Sequence, residues 1–124
     1  MLLSMLRRAI GAPAPAVADP GLVAAGGVRR SSKWPGVRAA HLKARPACEA
    51  CGKREALEVH HIQPFNLRPD LELDPTNLMT LCGDPCHIVH GHLMGWARYN
   101  PTARTDVRLY RTNLESAKLA ARGA

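Results

Sequence analysis

The stretch LEVHHIQP, residues 57–64, sets two histidines side by side in what reads as a short strand over residues 57–62, closed by Pro64. Neighbouring residues on a strand point to opposite faces. His60 and His61 therefore present their imidazoles in opposite directions. A second run, NLMTLC at residues 77–82, reads as the partner strand. The segment between them, QPFNLRPDLELDPTN, is rich in Pro, Asp and Asn and reads as an irregular excursion. Gly83-Asp84-Pro85 then predicts a turn into a helix, with Asp84 as N-cap and Pro85 at the first helical position. That helix carries CHIVHGHLMGWARY and stops at Asn100-Pro101. The decisive unit is thus strand, excursion, strand, helix, and the fold class is α+β.

Around this unit lie four cysteines in two pairs, Cys48-x2-Cys51 and Cys82-x3-Cys86. The first pair runs into Gly52, the shape of a knuckle in which glycine lets the backbone turn back toward a metal. Two plus two thiolates suit a tetrahedral structural zinc, with Asp84-Pro85 adding one residue to the second turn. The alternatives are two disulfides or free buried thiols. Disulfides need an oxidising compartment, for which the sequence carries no signal. A staple matters here because the core is poor: in 124 residues only 4% are aromatic.

Upstream, SSKWPGVRAAHL predicts a short helix. Ser32 is the expected cap, Trp34, Val37 and Leu42 face inward, and Arg38 and Lys43 face out. Downstream, from about Thr105, the residues Val107, Tyr110, Leu114, Ala117 and Ala121 recur at helical spacing and predict an amphipathic helix packed on the core. Three regions follow: a disordered basic segment over residues 1–30, a central domain over residues 31–101, and a C-terminal helix over residues 102–124. Met5 is an alternative start.

The net charge is +7, and it is unevenly spread. Arg7, Arg8, Arg29, Arg30, Lys33, Arg38, Lys43 and Arg45 face Asp19 alone ahead of the first cysteine, while the rest of the chain balances. A positive field of this kind favours a polyanionic partner, although a solvated basic tail accounts for the same charges. No stretch approaches the ~18–20 continuous apolar residues of a membrane span. The opening apolar run precedes its arginines, the reverse of a secretory signal. Arg-rich, acid-poor composition sits nearer a transit peptide, yet the expectation for the central domain is cytoplasmic.

Five of the six histidines fall in the central unit: His60, His61, His87, His90 and His92. With Asn77 at the head of the second strand, CEACG, LEVHHIQP, DPTNLMTLC and CHIVHGHL in that order resemble the HNH endonucleases of the ββα-metal group. The resemblance is to their zinc-knuckle form, known from small bacterial and phage-borne proteins. It implies that His61 is the general base and His60 the first ligand of a catalytic divalent metal. Asn77 braces the loop that holds the base, and His87 is the second ligand. A third ligand in some members lies four residues later, where this chain has Gly91; His92 is the expected substitute, and His90 is expected to be structural.

The implied activity is hydrolysis of DNA phosphodiester bonds with Mg, Mn, Ni or Zn as the catalytic ion, leaving 5′-phosphate and 3′-hydroxyl ends. Arg29, Arg30, Lys33, Arg38, Lys43 and Arg45 are the expected phosphate contacts, giving low sequence specificity and nicking. A phage terminase complex is a partner by analogy only. The competing reading is a zinc-stapled nucleic-acid-binding module without catalysis, which needs neither His61 nor Asn77.

Overall fold

The structure is a computed structural model and describes residues 29–123. The expectations for residues 1–30, including the alternative start and the Arg7-Arg8 pair, fall almost wholly outside that range. At its centre β1 (Leu57–His61) pairs antiparallel with β2 (Leu78–Cys82). Leu57 lies opposite Cys82, His60 opposite Met79, and His61 opposite Leu78. Every residue of β2 is buried, so the hairpin is covered on both faces. The excursion between the strands is irregular, as its composition requires. It holds two short 3-10 turns, Pro69–Leu71 and Pro75–Asn77, the second capped by the Asp74 carboxylate accepting from the Thr76 amide at 2.9 Å.

Helix α1 (Trp34–Ala44) packs along the face of the hairpin that carries His61. Its start differs from the expected one. Lys33 occupies the cap position, and Ser31, not Ser32, supplies the hydroxyl that accepts from the Lys33 amide at 3.1 Å. The Ser31 amide is itself tied to the Glu72 carboxylate at 3.0 Å, which fixes the chain one residue earlier. Trp34, Val37 and Leu42 are half-buried as expected, with Arg38 and Lys43 outside.

The helix expected from Pro85 to Tyr99 is replaced by something shorter. A π-helical turn spans His87–Gly91, and the chain then turns sharply through Leu93 and Met94, both with positive φ, at 50° and 68°. Asp84 and Pro85 belong to the preceding turn, and Cys86 holds the cap position. The reason is tertiary. The segment must bring Cys86 to the other cysteines and two histidines to His60 within seven residues, which a straight α-helix cannot do.

Helix α2 (Ala103–Gly123) begins two residues earlier than expected, where buried Asn100 turns the chain into it, its Oδ1 accepting from the Thr102 amide at 3.1 Å. Only Ala103 and Val107 are buried on it. Tyr110, Ala117 and Ala121 are exposed and Leu114 is half-buried, so the expected docking along the whole apolar stripe is corrected to its first two turns. A helix of 21 residues is roughly 30 Å long, and a two-stranded sheet offers no surface to cover it. The core is correspondingly small, and three cysteines sit inside it beside Met79, Leu81, Ala103 and Val107.

Candidate metal centres and catalytic cleft

The knuckle at Cys48 closes by short backbone bonds: the Cys48 amide donates to the Lys53 carbonyl at 2.7 Å, and the Gly52 amide to the Cys48 carbonyl at 2.9 Å. Gly52 has φ +82°, a left-handed conformation that glycine adopts without penalty. The Cys51 amide points at Cys48 Sγ at 3.5 Å. One end of the hairpin contributes Cys82 and the turn after it contributes Cys86. All four sulfurs lie within 4.8 Å of one another, and Cys51 and Cys82 Sγ are 3.8 Å apart. Two sulfurs bound tetrahedrally at about 2.3 Å from one zinc are separated by about 3.8 Å, so the cluster fits a metal. Burial pushes the Cys86 thiol up, and its cysteine neighbours push the same way. Thiols packed like this ionise together only when a cation takes up the charge.

At the other end of the hairpin the strand alternation separates the two histidines as expected. His60 is buried against the π-helical turn, so tightly that a Cβ on Gly91 would meet its ring at 2.9–3.1 Å. His87 Nε2 lies 3.1 Å from His60 Nδ1, and the His92 ring centroid lies 4.9 Å from both of theirs. One nitrogen from each of His60, His87 and His92 falls within 4.8 Å of the others. Two nitrogens bound at 2.0–2.1 Å to one cation stand roughly 3.0–3.4 Å apart, which the His60–His87 spacing matches.

The π-helical turn explains the unusual spacing. Its i→i+5 bonding widens the turn, so residues five apart share a face. His92 therefore reaches the position that Gly91 cannot fill, since Gly91 must remain bare to admit the His60 ring. Both later histidines are oriented from behind. His87 Nδ1 donates to Glu58 Oε2 at 3.0 Å, and His92 Nδ1 donates to the Arg98 carbonyl at 2.7 Å, leaving each Nε2 for the cluster. Burial, followed by the neighbouring His87, His92 and His61, holds His60 down at about 3, and burial also lowers His92. Both are neutral at physiological pH, the form in which imidazole binds a metal.

His61 turns to the opposite face. Its Nε2 donates to the Glu72 carbonyl at 2.9 Å, which leaves Nδ1 as the unprotonated acceptor, and its ring packs on Trp34 with centroids 4.5 Å apart. Burial lowers its pKa and Arg30 adds to that, against the opposing pull of Glu72. Asn77 holds this arrangement in place. Its Oδ1 accepts from the Gln63 amide at 2.8 Å, while Nδ2 donates to the carbonyls of Gln63 at 3.1 Å and Leu71 at 3.3 Å. One side chain thus ties the residues after β1 to the residue just before Glu72.

His60, His61, His87 and His92 line one cleft of about 300 Å³ together with Arg30, Val59, Pro64, Phe65 and Asn66. Of the six expected phosphate contacts, Arg30 alone lines it, its guanidinium 4.3 Å from the Phe65 ring centre and 3.5 Å from Glu72. Arg29, Lys33, Arg38 and Lys43 are exposed outside it. Arg45 pairs with Glu49 at 3.8 Å and lines a second groove with Arg104, Arg108 and Arg111. His90 packs on Tyr110 at 4.6 Å, away from the cluster.

Sequence reasoning does not single out Glu58, Glu72, Trp96 or the α2 arginines Arg104, Arg108 and Arg111, and it gives Trp34 only a packing role. Glu58 was within reach of it: two residues before His60, it shares that face of β1. Glu72 acts through a backbone carbonyl, which leaves no sequence signal.

Residues 48–92, from the first knuckle cysteine to His92, match the family model described as HNH endonuclease. No curated protein and no solved structure gives a significant match.

Proposed function

We propose, from the premise that residues 48–92 form an HNH domain, that this protein is a metal-dependent endonuclease that hydrolyses DNA phosphodiester bonds. The observation that carries the reading is the pairing of a three-histidine cluster with a separately held imidazole in the same cleft. His60, His87 and His92 would hold a divalent ion, with Glu58 and the Arg98 carbonyl orienting two of the three rings. Such an ion supplies charge neutralisation at the scissile phosphate and the leaving 3′ oxygen.

The remaining work belongs to this chain's own side chains. His61 Nδ1 accepts the proton of the attacking water, and the Nε2–H bond to Glu72 fixes the tautomer in which it can do so. Trp34 and Asn77 keep the ring and its carbonyl partner from drifting. Arg30 offers the cleft a cation for a flanking phosphate. Cys48, Cys51, Cys82 and Cys86 would hold a structural zinc that pins the knuckle to the far end of the hairpin. Phosphate contacts carry no base sequence, so nicking of low sequence specificity is expected, with 5′-phosphate and 3′-hydroxyl products.

The test is relaxation of supercoiled plasmid with Mg or Mn, with and without EDTA, beside His61→Ala checked to retain its cysteine-bound metal. Metal-dependent nicking that disappears in the variant supports the reading. Binding without cutting, by both proteins under every metal, would replace it with the binding module.

A further inference from the structure

The segment after His92 is unusual on three counts. Leu93, Met94 and Trp96 are 45%, 69% and 59% exposed, so three large apolar side chains stand together in water. Two consecutive non-glycine residues hold positive φ there, a conformation that costs free energy and persists only where the surroundings impose it. And the strained turn returns Trp96 to the histidine cluster, with its ring 4.9 Å from His92 and 5.2 Å from His87. Exposed apolar clusters mark binding surfaces, and this one borders the cluster where the scissile phosphate is placed above.

What covers it follows from that neighbourhood. A group adjoining a bound phosphate on a nucleic-acid strand is a sugar or a base, and an indole face is a stacking surface for a base. A base inside an intact duplex has both faces covered by its neighbours, so only one that has left the stack can use Trp96. Arg98 stands beside this turn, its side chain against Gly95, and adds a cation for the backbone of the same strand. Phe65, with the Arg30 guanidinium stacked on it, also lines the cleft that holds His60, His87 and His92.

We propose that Trp96, in the exposed turn with Leu93 and Met94, receives an unstacked base next to the scissile phosphate. A strand with an unpaired nucleotide at that position is then the preferred substrate. This rests on the nuclease reading above and names the substrate class of that site.

The test compares kcat/KM on two otherwise identical oligonucleotide duplexes, one fully paired and one with a single unpaired nucleotide. The wild-type chain should prefer the second by about tenfold, the scale of one base–aromatic stack. Trp96→Ala should bring the ratio toward one, and Trp96→Phe should restore most of it. A ring that only props the histidines would lower both rates alike and leave the ratio unchanged, which would overturn the proposal. So would an unchanged variant, which would leave the patch to a protein partner.

A second readout needs no cleavage. His61→Ala protein bound to the same duplex carrying 5-iodouracil at the unpaired position should cross-link on irradiation at Trp96, located by mass spectrometry. If the wild type cuts neither duplex, the nuclease reading fails. The cross-link then decides the stacking proposal alone, and attachment elsewhere would sink it.

Discussion

Two donor clusters sit at opposite ends of the same pair of strands, and they are built on different plans. The cysteine cluster has four sulfurs, three of them on buried residues, and is enclosed by the knuckle, the turn after β2 and the core itself. The histidine cluster has three nitrogens, with His87 and His92 only half-buried, and opens into a cleft. Four donors close a tetrahedral ion; three leave a position for something else. The difference teaches that donor count and enclosure, more than donor chemistry, separate a site that holds a chain together from one that can do work on a substrate.

The comparison breaks most visibly at the cysteines. Removing the metal with a chelator, or Cys82→Ser, should abolish the cooperative thermal transition. Structural zinc supplies about 10–16 kcal/mol in small domains, as much as a domain of this size has in total. Circular dichroism checks it, and a chain that still melts cooperatively without metal would put the two sites on the same footing. His92→Ala should leave that transition in place.

The next largest effect is at the free imidazole. His61→Ala should lower kcat by about 10²–10⁴ while the cysteine-bound metal stays at full occupancy by elemental analysis. Gly91→Ala, which places a methyl against the His60 ring, should destabilise the fold by the ~1–3 kcal/mol of an overpacked contact, read as a lower thermal midpoint, and reduce metal stoichiometry at the histidines alone. Glu58→Gln should weaken the histidine-bound metal about 10–100-fold, read by titration calorimetry, with the cysteine site unmoved.

The smallest effect is in pH. His61 is depressed below the ordinary histidine value of about 6.5, chiefly by burial, so its base form survives as pH falls through that value. The acid limb of kcat/KM should therefore lie below pH 6.5. A limb above that value would mean that substrate binding raises the imidazole, or that another group titrates.

What was legible beforehand was whatever short-range spacing encodes. The cysteine pairs, the opposed faces of His60 and His61, and the strand carrying Leu78 to Cys82 all follow from residues a few positions apart, whereas the bracing role of Asn77 is implied by the family resemblance alone. The failures share one cause, which is contact between distant segments. Nothing local says that Gly91 must stay bare for a ring contributed by His60, so the sequence predicts an ordinary helix where the π-helical turn stands. The apolar stripe of α2 identified the correct face at Val107 but not how little surface awaits it. Glu72 orients His61 through an atom that every residue possesses.

Strand alternation carries one more consequence. Moving β1 by one residue against β2 would not just loosen the hairpin; it would turn every side chain of the strand to the opposite face, so that one histidine takes its neighbour's place and Val59 or Ile62 fills the position the other leaves. The Cys82 pairing at one end and the Asn77 clamp at the other therefore act as an index. A length change within residues 57–61 removes one imidazole from its place, whereas one in the excursion short of Leu71 and Glu72 alters only slack.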